Sequence, residues 1–581
     1  MKIKKKIFLI FFLIFFTQNF FSKNNEKINP HIWWNELDDV WKQEFQKLLK
    51  IYKDPTKEEI ERILNLKKLN ISSNFEISDL GPISDLIELE ELSFFDTNVE
   101  NLEAITFLKK IKKLWFYNTQ IDDLEPIRDV TSLTELWFEY TDIDDLEPIS
   151  NLINLEVLAF SNPDIENLSS LENLVNLREL KCMYTSVSDL KPLKNMKKLE
   201  KLYCYDTEIN SLEPIRNLIS LKELYCENID ISNLENLRNL INLEVLAFSS
   251  ENITTLEPLR NLVNLKKFWC MYTNITSLAS IKNAKNLEKL WCYNTKIKDL
   301  EVLKNFTNLE KLWCYNTKIE SLQALENLTK LKELKCSNTK ITDLSPLKNL
   351  LNLEILSCGD VNITDLTPIE NLKNLKKVHL FNTKIKNIEA LKNLKKLKIL
   401  DLDNTKVEDI KHIKNLLKLE KLNLDNTLIT EIKALKNLKN LREFNCNSTN
   451  IENLSPIKNL KELRKLLIYN TLVTTLEPLK NLKKLEELNC PQTKITSLEP
   501  LRNLKNLKKL WCYNNEITTL KPLENLNGLI MLICFNTKID DLKVIWNLKN
   551  LQVLYCYNTK LNMAKVEAFK LEHIDCYIDF W

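Results

Sequence analysis

One period governs this chain. An aliphatic residue recurs every 22 positions, from Leu80 through Leu102 and Leu124 to Leu542, in 22 copies with no insertion or deletion; only Ile388, Ile410 and Ile432 depart from Leu. A sequence locked to one spacing over such a length forms a stack of similar units, each meeting its neighbours as the last one did. With Leu287 as position 1 of a representative unit, apolar residues occupy positions 1, 4, 6, 11, 14, 17 and 20 (Leu287, Leu290, Cys292, Ile297, Leu300, Leu303 and Phe306). Around positions 4 to 6 the side chains alternate in and out, which predicts a strand. The spacing of three from position 11 to 20 predicts tight turns or short 3-10 pieces. Pro recurs at position 16 (Pro126, Pro148, Pro192, Pro214, Pro258), where a first helical turn tolerates its missing N–H.

A single unit cannot bury its own apolar side, but stacked units can. In-register stacking predicts an α/β solenoid with a parallel sheet of about 22 strands, roughly 100 Å along its curve at the usual strand spacing. Its stability is spread over neighbour–neighbour contacts. Only three Gly and 16 Pro in 581 residues exclude a flexible low-complexity chain or a loop-rich β-sandwich. Two polar positions support the register. Position 19 is Asn in 19 consecutive repeats, Asn151 through Asn547, and is expected to take a left-handed turn and to bond neighbouring backbone. Position 9 is mostly Thr (Thr295, Thr317, Thr339), whose hydroxyl does similar work.

The unit Leu-x-x-Leu-x-x-Leu-x-Cys-x-Asn-Thr-x-Ile-x-x-Leu-x-Pro-Leu-x-Asn resembles the repeats of bacterial internalin-type surface proteins, over about residues 70–560. The resemblance implies a leucine-rich-repeat horseshoe with a concave parallel sheet and a convex side of turns and 3-10 segments. It also implies a secreted or wall-bound adhesion protein that grips a host protein on the concave face. The chain departs from that pattern in having mainly Thr at position 9, and in no immunoglobulin-like module, sorting motif or hydrophobic tail after the array. The resemblance therefore carries ligand binding further than surface anchoring.

The flanks divide the rest. Lys2, Lys4, Lys5 and Lys6 precede a short apolar run over residues 7–16, the pattern of a signal peptide, here assigned to residues 1–22. No membrane span is expected after its removal, and the expected location is secreted, cell-surface or periplasmic. Residues 23–66 are expected to form a helical cap. Trp33, Leu37, Trp41, Phe45, Leu48 and Leu49 give one apolar stripe over residues 32–49, and Thr56 with Glu59 starts a second helix with a capping box. The array is assigned to residues 67–560. Residues 561–581 are read as a C-terminal cap, with Val566 and Phe569 on a short helix and Cys576, Ile578 and Phe580 in a last strand.

Thirteen of the 14 Cys fall at position 6, where other repeats carry Phe94, Leu402 or Ile468. Interchange with plain hydrophobes reads as core filling. Close CxxC pairs are absent, so no zinc site is expected. So many free thiols fit poorly with an oxidising compartment, and Cys576, outside the ladder, is expected to be the most reactive.

Function is sought on side chains pointing outward from the sheet, at positions 5 and 7. These are rich in rings: Trp115, Tyr117, Trp137, Tyr203, Tyr205, Tyr225, Trp269, Trp291, Tyr293, Trp313 and Tyr315, then Trp511 and Tyr513. Exposed Trp and Tyr in a contiguous stripe point to a binding surface; rings stacked across strands also stabilise a sheet. Between the two runs lies a polar patch with His379, Asp401, Asp403, Asp425, Asn423, Asn445 and Asn447. It is open to a cationic group of a partner, to solvent or to Ca²⁺. Lys and Arg (82) nearly balance Asp and Glu (80), so charge names neither nucleic acid nor anionic membrane as a partner. The four His are scattered, and phosphate loops, nucleophile elbows and HExxH are absent. The chain is expected to be no enzyme and to need no cofactor. Three readings remain: a secreted binder of a protein ligand, an intracellular scaffold resembling phosphatase-regulatory repeat proteins, and a glycan binder using the aromatic stripe.

Overall fold

The structure, a computed structural model, describes residues 29–580; the leader assigned to residues 1–22 lies outside them. The described residues form two compact units, one up to Leu221 and one from Lys222. That boundary falls inside the array assigned from sequence to residues 67–560, between positions 1 and 2 of a repeat. In a solenoid each repeat contacts only its neighbours, so a compact unit can end within any repeat without splitting one central core.

In the first unit, seven strands stack in parallel: β1 (Lys68–Ser72), β2 (Glu91–Phe95), β3 (Lys113–Tyr117), β4 (Glu135–Glu139), β5 (Val157–Ser161), β6 (Glu179–Lys181) and β7 (Lys201–Tyr203). Their register is the sequence period itself, Leu92 facing Leu114 and Leu114 facing Leu136. The second unit has 17 strands, from β8 (Glu223–Cys226) to β24 (Tyr577–Asp579), stacked in parallel in the same 22-residue register (Leu290 facing Leu312). Each strand in the repeats is separated from the next by one 3-10 segment such as Glu301–Asn305. Where Pro sits at position 16, as in Glu125–Ile127, it occupies the start of that segment. The apolar set Leu287, Leu290, Cys292, Ile297, Leu300, Leu303 and Phe306 is buried throughout, so the seven positions read from the sequence are the core. At position 6 the first unit stacks Phe94, Phe116, Phe138 and Phe160, with centroids 5.4, 5.9 and 5.6 Å apart; Cys takes this place in most later repeats.

The Thr ladder forms in most repeats: Thr295 Oγ1 donates to the Cys292 carbonyl and Thr317 Oγ1 to the Cys314 carbonyl, both at 2.7 Å, while the buried hydroxyls of Thr97, Thr119 and Thr141 in the first unit have no partner among the described residues. The left-handed residue, however, is position 8 and not the Asn at position 19. Asn294 and Asn316 have φ 53°, and Asp360 has φ 52°. The chain leaves the sheet at position 8, and the bend there demands a positive φ, which Asn and Asp adopt most readily of the larger residues. These same side chains form a ladder, Asn316 Nδ2 donating to Asn294 Oδ1 at 2.6 Å and Asn338 Nδ2 to Asn316 Oδ1 at 2.9 Å. The turn at positions 18 to 21 closes instead through short backbone bonds, such as Lys439 N–H to the Asn437 carbonyl at 2.9 Å. Neighbouring turns are tied by position 22, Asn440 Nδ2 donating to the Leu417 carbonyl at 2.8 Å.

Ahead of the first strand stand helices α1 (Pro30–Glu36), α2 (Asp39–Leu49) and α3 (Lys57–Leu64). The stripe expected to be continuous over residues 32–49 is broken at Leu37. Asp38 takes an extended backbone there, and its carboxylate accepts from the Trp41 N–H at 2.7 Å, starting a new helix. The indole of Trp41 then donates to the Asp79 carbonyl at 3.0 Å. Thr56 and Glu59 form the capping box of α3. At the far end α4 (Met563–Glu572) precedes β24, which pairs with Val553–Tyr555. All 14 Cys are free and buried. Cys576 departs from the expectation of a reactive thiol: it is 5% exposed, and burial pushes its thiol up to about 11.

Candidate functional site

Strand alternation puts positions 4 and 6 into the core and positions 5 and 7 on the open face of the sheet. In the first unit Trp115 and Trp137 face each other in register, ring centroids 6.2 Å apart. The next residue along the row is the small, buried Ala159, flanked in turn by Lys181. Because Ala159 leaves the space above it open, Lys181 reaches across it, its Nζ 4.0 Å from the Trp137 ring and 5.3 Å from that of Tyr203. Tyr117 packs on Tyr140 at 4.9 Å, and Tyr205 on Tyr184 at 5.4 Å. Tyr140 and Tyr184 sit at left-handed position 8 (φ 55° and 56°), a place sequence reading left out of the surface.

The second unit repeats the scheme with tighter packing. Tyr225 meets Trp269 across Ala247 at 5.5 Å. Trp269, Trp291 and Trp313 form a parallel stack, with centroids 4.2 and 4.4 Å apart and planes within 8°. Lys335 ends it, its Nζ 3.5 Å from the Trp313 ring. Alongside, Tyr293 stacks on Tyr315 at 4.4 Å, and Tyr272 meets Tyr293 edge-on at 5.6 Å. Burial raises the phenol pKa of Tyr225 and Tyr315, and nearby Glu223 and Glu227 for the former and Tyr293 for the latter push the same way. These hydroxyls stay protonated donors at neutral pH. Glu333 anchors the end of the stack. It accepts from Trp313 Nε1 at 2.9 Å and pairs with Lys311 (3.2 Å) and Lys335 (3.3 Å). Burial alone would raise the Glu333 carboxyl; the two lysines outweigh it and hold it below its ordinary range. Farther along, Tyr513, Phe535 and Tyr557 stack at 4.3 and 4.4 Å, and Trp511 lies beside Asn489 and Ile533 on the neighbouring strands.

The polar patch is assembled as the register requires: His379, Asp401, Asn423 and Asn445 face one another across adjacent strands. His379 Nδ1 lies 3.5 Å from Asp401 Oδ2. Position 5 is spent on the backbone of position 7: Asp401 Oδ1 accepts from the Asp403 N–H at 3.3 Å and Asn423 Oδ1 from the Asp425 N–H at 3.1 Å. Burial raises the Asp403 carboxyl, with Asp425 and Asp401 adding to it. Burial also raises Asp425, against hydrogen bonds from Asn445 and Asn447. Among the described residues no group of three or more His, Cys, Asp or Glu is placed to hold a metal ion.

A stack of 22-residue units with an unroofed sheet face of pinned rings defines a repeat protein of the protein-interaction kind. Family models agree on which one. A leucine-rich-repeat region matches residues 374–519, two-copy leucine-rich repeats match 263–305, 307–349 and 351–393, and a BspA-type leucine-rich-repeat region matches 67–191. The chain belongs to the leucine-rich-repeat proteins and is internalin-like in fold. A leucine-rich-repeat protein of Leptospira interrogans is 24% identical, covering 71% of this chain and all of that one, with TM-score 0.53. The functional domain of InlJ from Listeria monocytogenes, described as including a cysteine ladder, is 24% identical over 56% of this chain and 70% of its own, with TM-score 0.50. The ectodomain of the Arabidopsis thaliana receptor kinase GASSHO1/SCHENGEN3, solved in complex with CASPARIAN STRIP INTEGRITY FACTOR 2, is 15% identical over 87% of this chain and 81% of its own, with TM-score 0.55. No curated protein sequence matches the chain. Repeat proteins of this fold are typically binding scaffolds and not enzymes. No helix among the described residues is long and apolar enough to cross a membrane.

Proposed function

We propose that this protein is a secreted or surface-exposed binder that grips a protein or peptide through the ring-bearing open face of its sheet. The observation that carries the reading is the Trp269–Trp291–Trp313 stack with its Lys335–Glu333 end. A rigid aromatic row loses little entropy on binding and supplies the residue types that dominate protein contacts. The stacking also bears on the kind of ligand. Both faces of Trp291 are covered by its neighbours, and Trp313 is covered by Trp291 and Lys335. A sugar needs an open ring face; a peptide can use ring edges and the Tyr hydroxyls. The receptor ectodomain of similar fold was solved with a bound factor, which supports the same use here. Trp511 and Tyr513 late in the second unit extend the surface there, Trp115, Trp137, Tyr203 and Tyr205 give the first unit a ring-bearing face of its own, and the Asp401, Asp403 and Asp425 patch is assigned to cationic groups of the partner.

The test is affinity of peptides selected from a random display library against the whole protein. The Trp291→Ala/Trp313→Ala variant is expected to lose at least about tenfold in affinity, the scale of one hot spot. Peptides that bind this variant as well as the parent would refute the surface assignment. Intact mass of the protein from culture fluid and cytosol decides location: a full-length cytosolic form would move the search to intracellular partners.

A further inference from the structure

The near-neutral total of +2 conceals a segregation of charge. Residues 373–505 hold 28 Lys and Arg against 15 Asp and Glu, a net +13, so the remainder of the chain is acidic. Much of this excess lies away from the sheet face, in the turns that return each repeat to its next strand. Position 18 is basic in six consecutive repeats from Lys392 to Arg502, and position 21 is Lys in four from Lys439 to Lys505. The two positions share one turn: in the first unit, where the same turn recurs, Lys109 Nζ and Lys197 Nζ (position 21) reach the carbonyls of Thr106 and Lys194 (position 18) at 2.7 and 3.2 Å. Turns of successive repeats are hydrogen-bonded to each other, Asn506 Nδ2 donating to the Lys483 carbonyl at 2.7 Å. The basic residues therefore form two rows running across the repeats, at a step close to the roughly 5 Å strand spacing.

The rows are under-neutralised at their centre. Lys480 and Arg502 pair with Glu477 and Glu499 at position 15. In the three repeats before them position 15 is Lys411, Lys433 and Ser455, and among the described residues Lys414, Lys436 and Lys458 have no ion-pair partner. Between the rows runs the Asn of position 19, exposed in each of these repeats. Its side-chain amide, expected from sequence to serve the fold, makes no hydrogen bond among the described residues from Asn393 to Asn503.

We propose that this face is a track for a linear anionic polysaccharide, its carboxylates or sulfates lying on the lysine rows and its hydroxyls on the Asn row. The composition selects this class over other polyanions. No Phe, Trp or Tyr occurs at positions 15 to 22 from Glu389 to Asn506, so there is no stacking platform for bases. One Arg among so many Lys gives point charges in place of bidentate phosphate contacts. A membrane surface would need several apolar anchors, and the strip carries the exposed Leu417 as its large aliphatic side chain. This surface is separate from the ring-bearing face, so either proposal can fail alone.

The probes are fluorescent heparin for sulfates and polygalacturonate for carboxylates, with the whole protein at about 150 mM salt, where surface charges more than about 8 Å apart are screened. The Lys436→Glu/Lys439→Glu/Lys458→Glu/Lys461→Glu variant is expected to bind at least about tenfold more weakly and with a shallower salt dependence, since fewer counterions are released. Lys296→Glu/Lys318→Glu/Lys384→Glu/Lys406→Glu changes the same charge at position 10 and is expected to bind within about twofold of the parent. The charge-neutral Asn437→Ala/Asn459→Ala pair is expected to weaken binding about threefold, the scale of one lost hydrogen bond. Retention of one polysaccharide and not the other identifies the anion. Failure of both to bind, an equal loss in the position-10 variant, or tighter binding to oligo(dT) or phosphatidylserine vesicles would overturn the proposal.

Discussion

Lys335 Nζ lies 3.5 Å from the Trp313 ring, and both are tied to one carboxylate, Glu333, which accepts from the indole N–H at 2.9 Å and pairs with the ammonium at 3.3 Å. The first unit has part of this arrangement: Lys181 lies 4.0 Å from the Trp137 ring and 3.3 Å from Glu179, while the buried Trp137 indole N–H has no hydrogen-bond partner among the described residues. In both, the strand reads Glu-Leu-Lys-Cys. At Trp313 the cation–π contact, the ion pair and the indole hydrogen bond together end the Trp stack and hold its last ring in one orientation.

Replacing Lys335 with Met uncovers the outer face of Trp313 and leaves Glu333 with one lysine. The local cost is expected to be about 1 kcal/mol, read as faster amide exchange in Lys311–Trp313, with a red shift of Trp emission. Unchanged exchange and emission would show that the lysine is a bystander.

The thiols should be inert in the folded protein. Burial pushes Cys182 and Cys490 up to about 12, and the thiolate is the reactive form. A thiol reagent at pH 8 is expected to label none of the 14, Cys576 included, within minutes, and all of them in denaturant. Rapid native labelling of Cys576 would contradict the packing of α4 and β24.

The same burial predicts weakness in alkali. An unfolded thiol titrates near 8.5, below its folded value, so the unfolded chain gives up protons first. The contribution of each such thiol to stability is complete below about pH 8.5 and declines as pH rises towards 12, at about 1.4 kcal/mol per pH unit. The fall in melting temperature between pH 8 and 10 is expected to be smaller when Cys292, Cys314 and Cys490 are replaced by Ala. Equal falls would mean that other groups control it.

At position 8, backbone and side chain can be separated. Asn316 has φ 53° and bonds Asn294 and Asn338. Asn316→Gly relieves the left-handed backbone and loses the two side-chain bonds, whereas Asn316→Ala loses the same bonds and keeps a Cβ at positive φ, about 1–2 kcal/mol worse than Gly. Urea midpoints are expected in the order Asn, Gly, Ala; an Ala variant as stable as Gly would remove the conformational argument.

The repeat, the strand register and the core were legible along the chain, because a 22-residue period allows one way of stacking Leu287 on Leu309 and burying Cys292 and Ile297 with them. It also placed Trp269, Trp291 and Trp313 on one face, since alternation along a strand is a local property. Which Asn turns left-handed was not legible: positions 8 and 19 both carry Asn repeatedly, and only the path out of the sheet assigns the positive φ to Asn294. The break at Leu37 was hidden for a related reason, a helical apolar stripe continuing across a kink that Asp38 makes by capping Trp41. Tertiary structure alone decided that the rings cover one another's faces, that Ala159 and Ala247 let Lys181 and Tyr225 reach over them, and that the lysines of positions 18 and 21 line up. Each of these depends on how far side chains extend between strands, and distance across strands is set by packing and not by order along the chain.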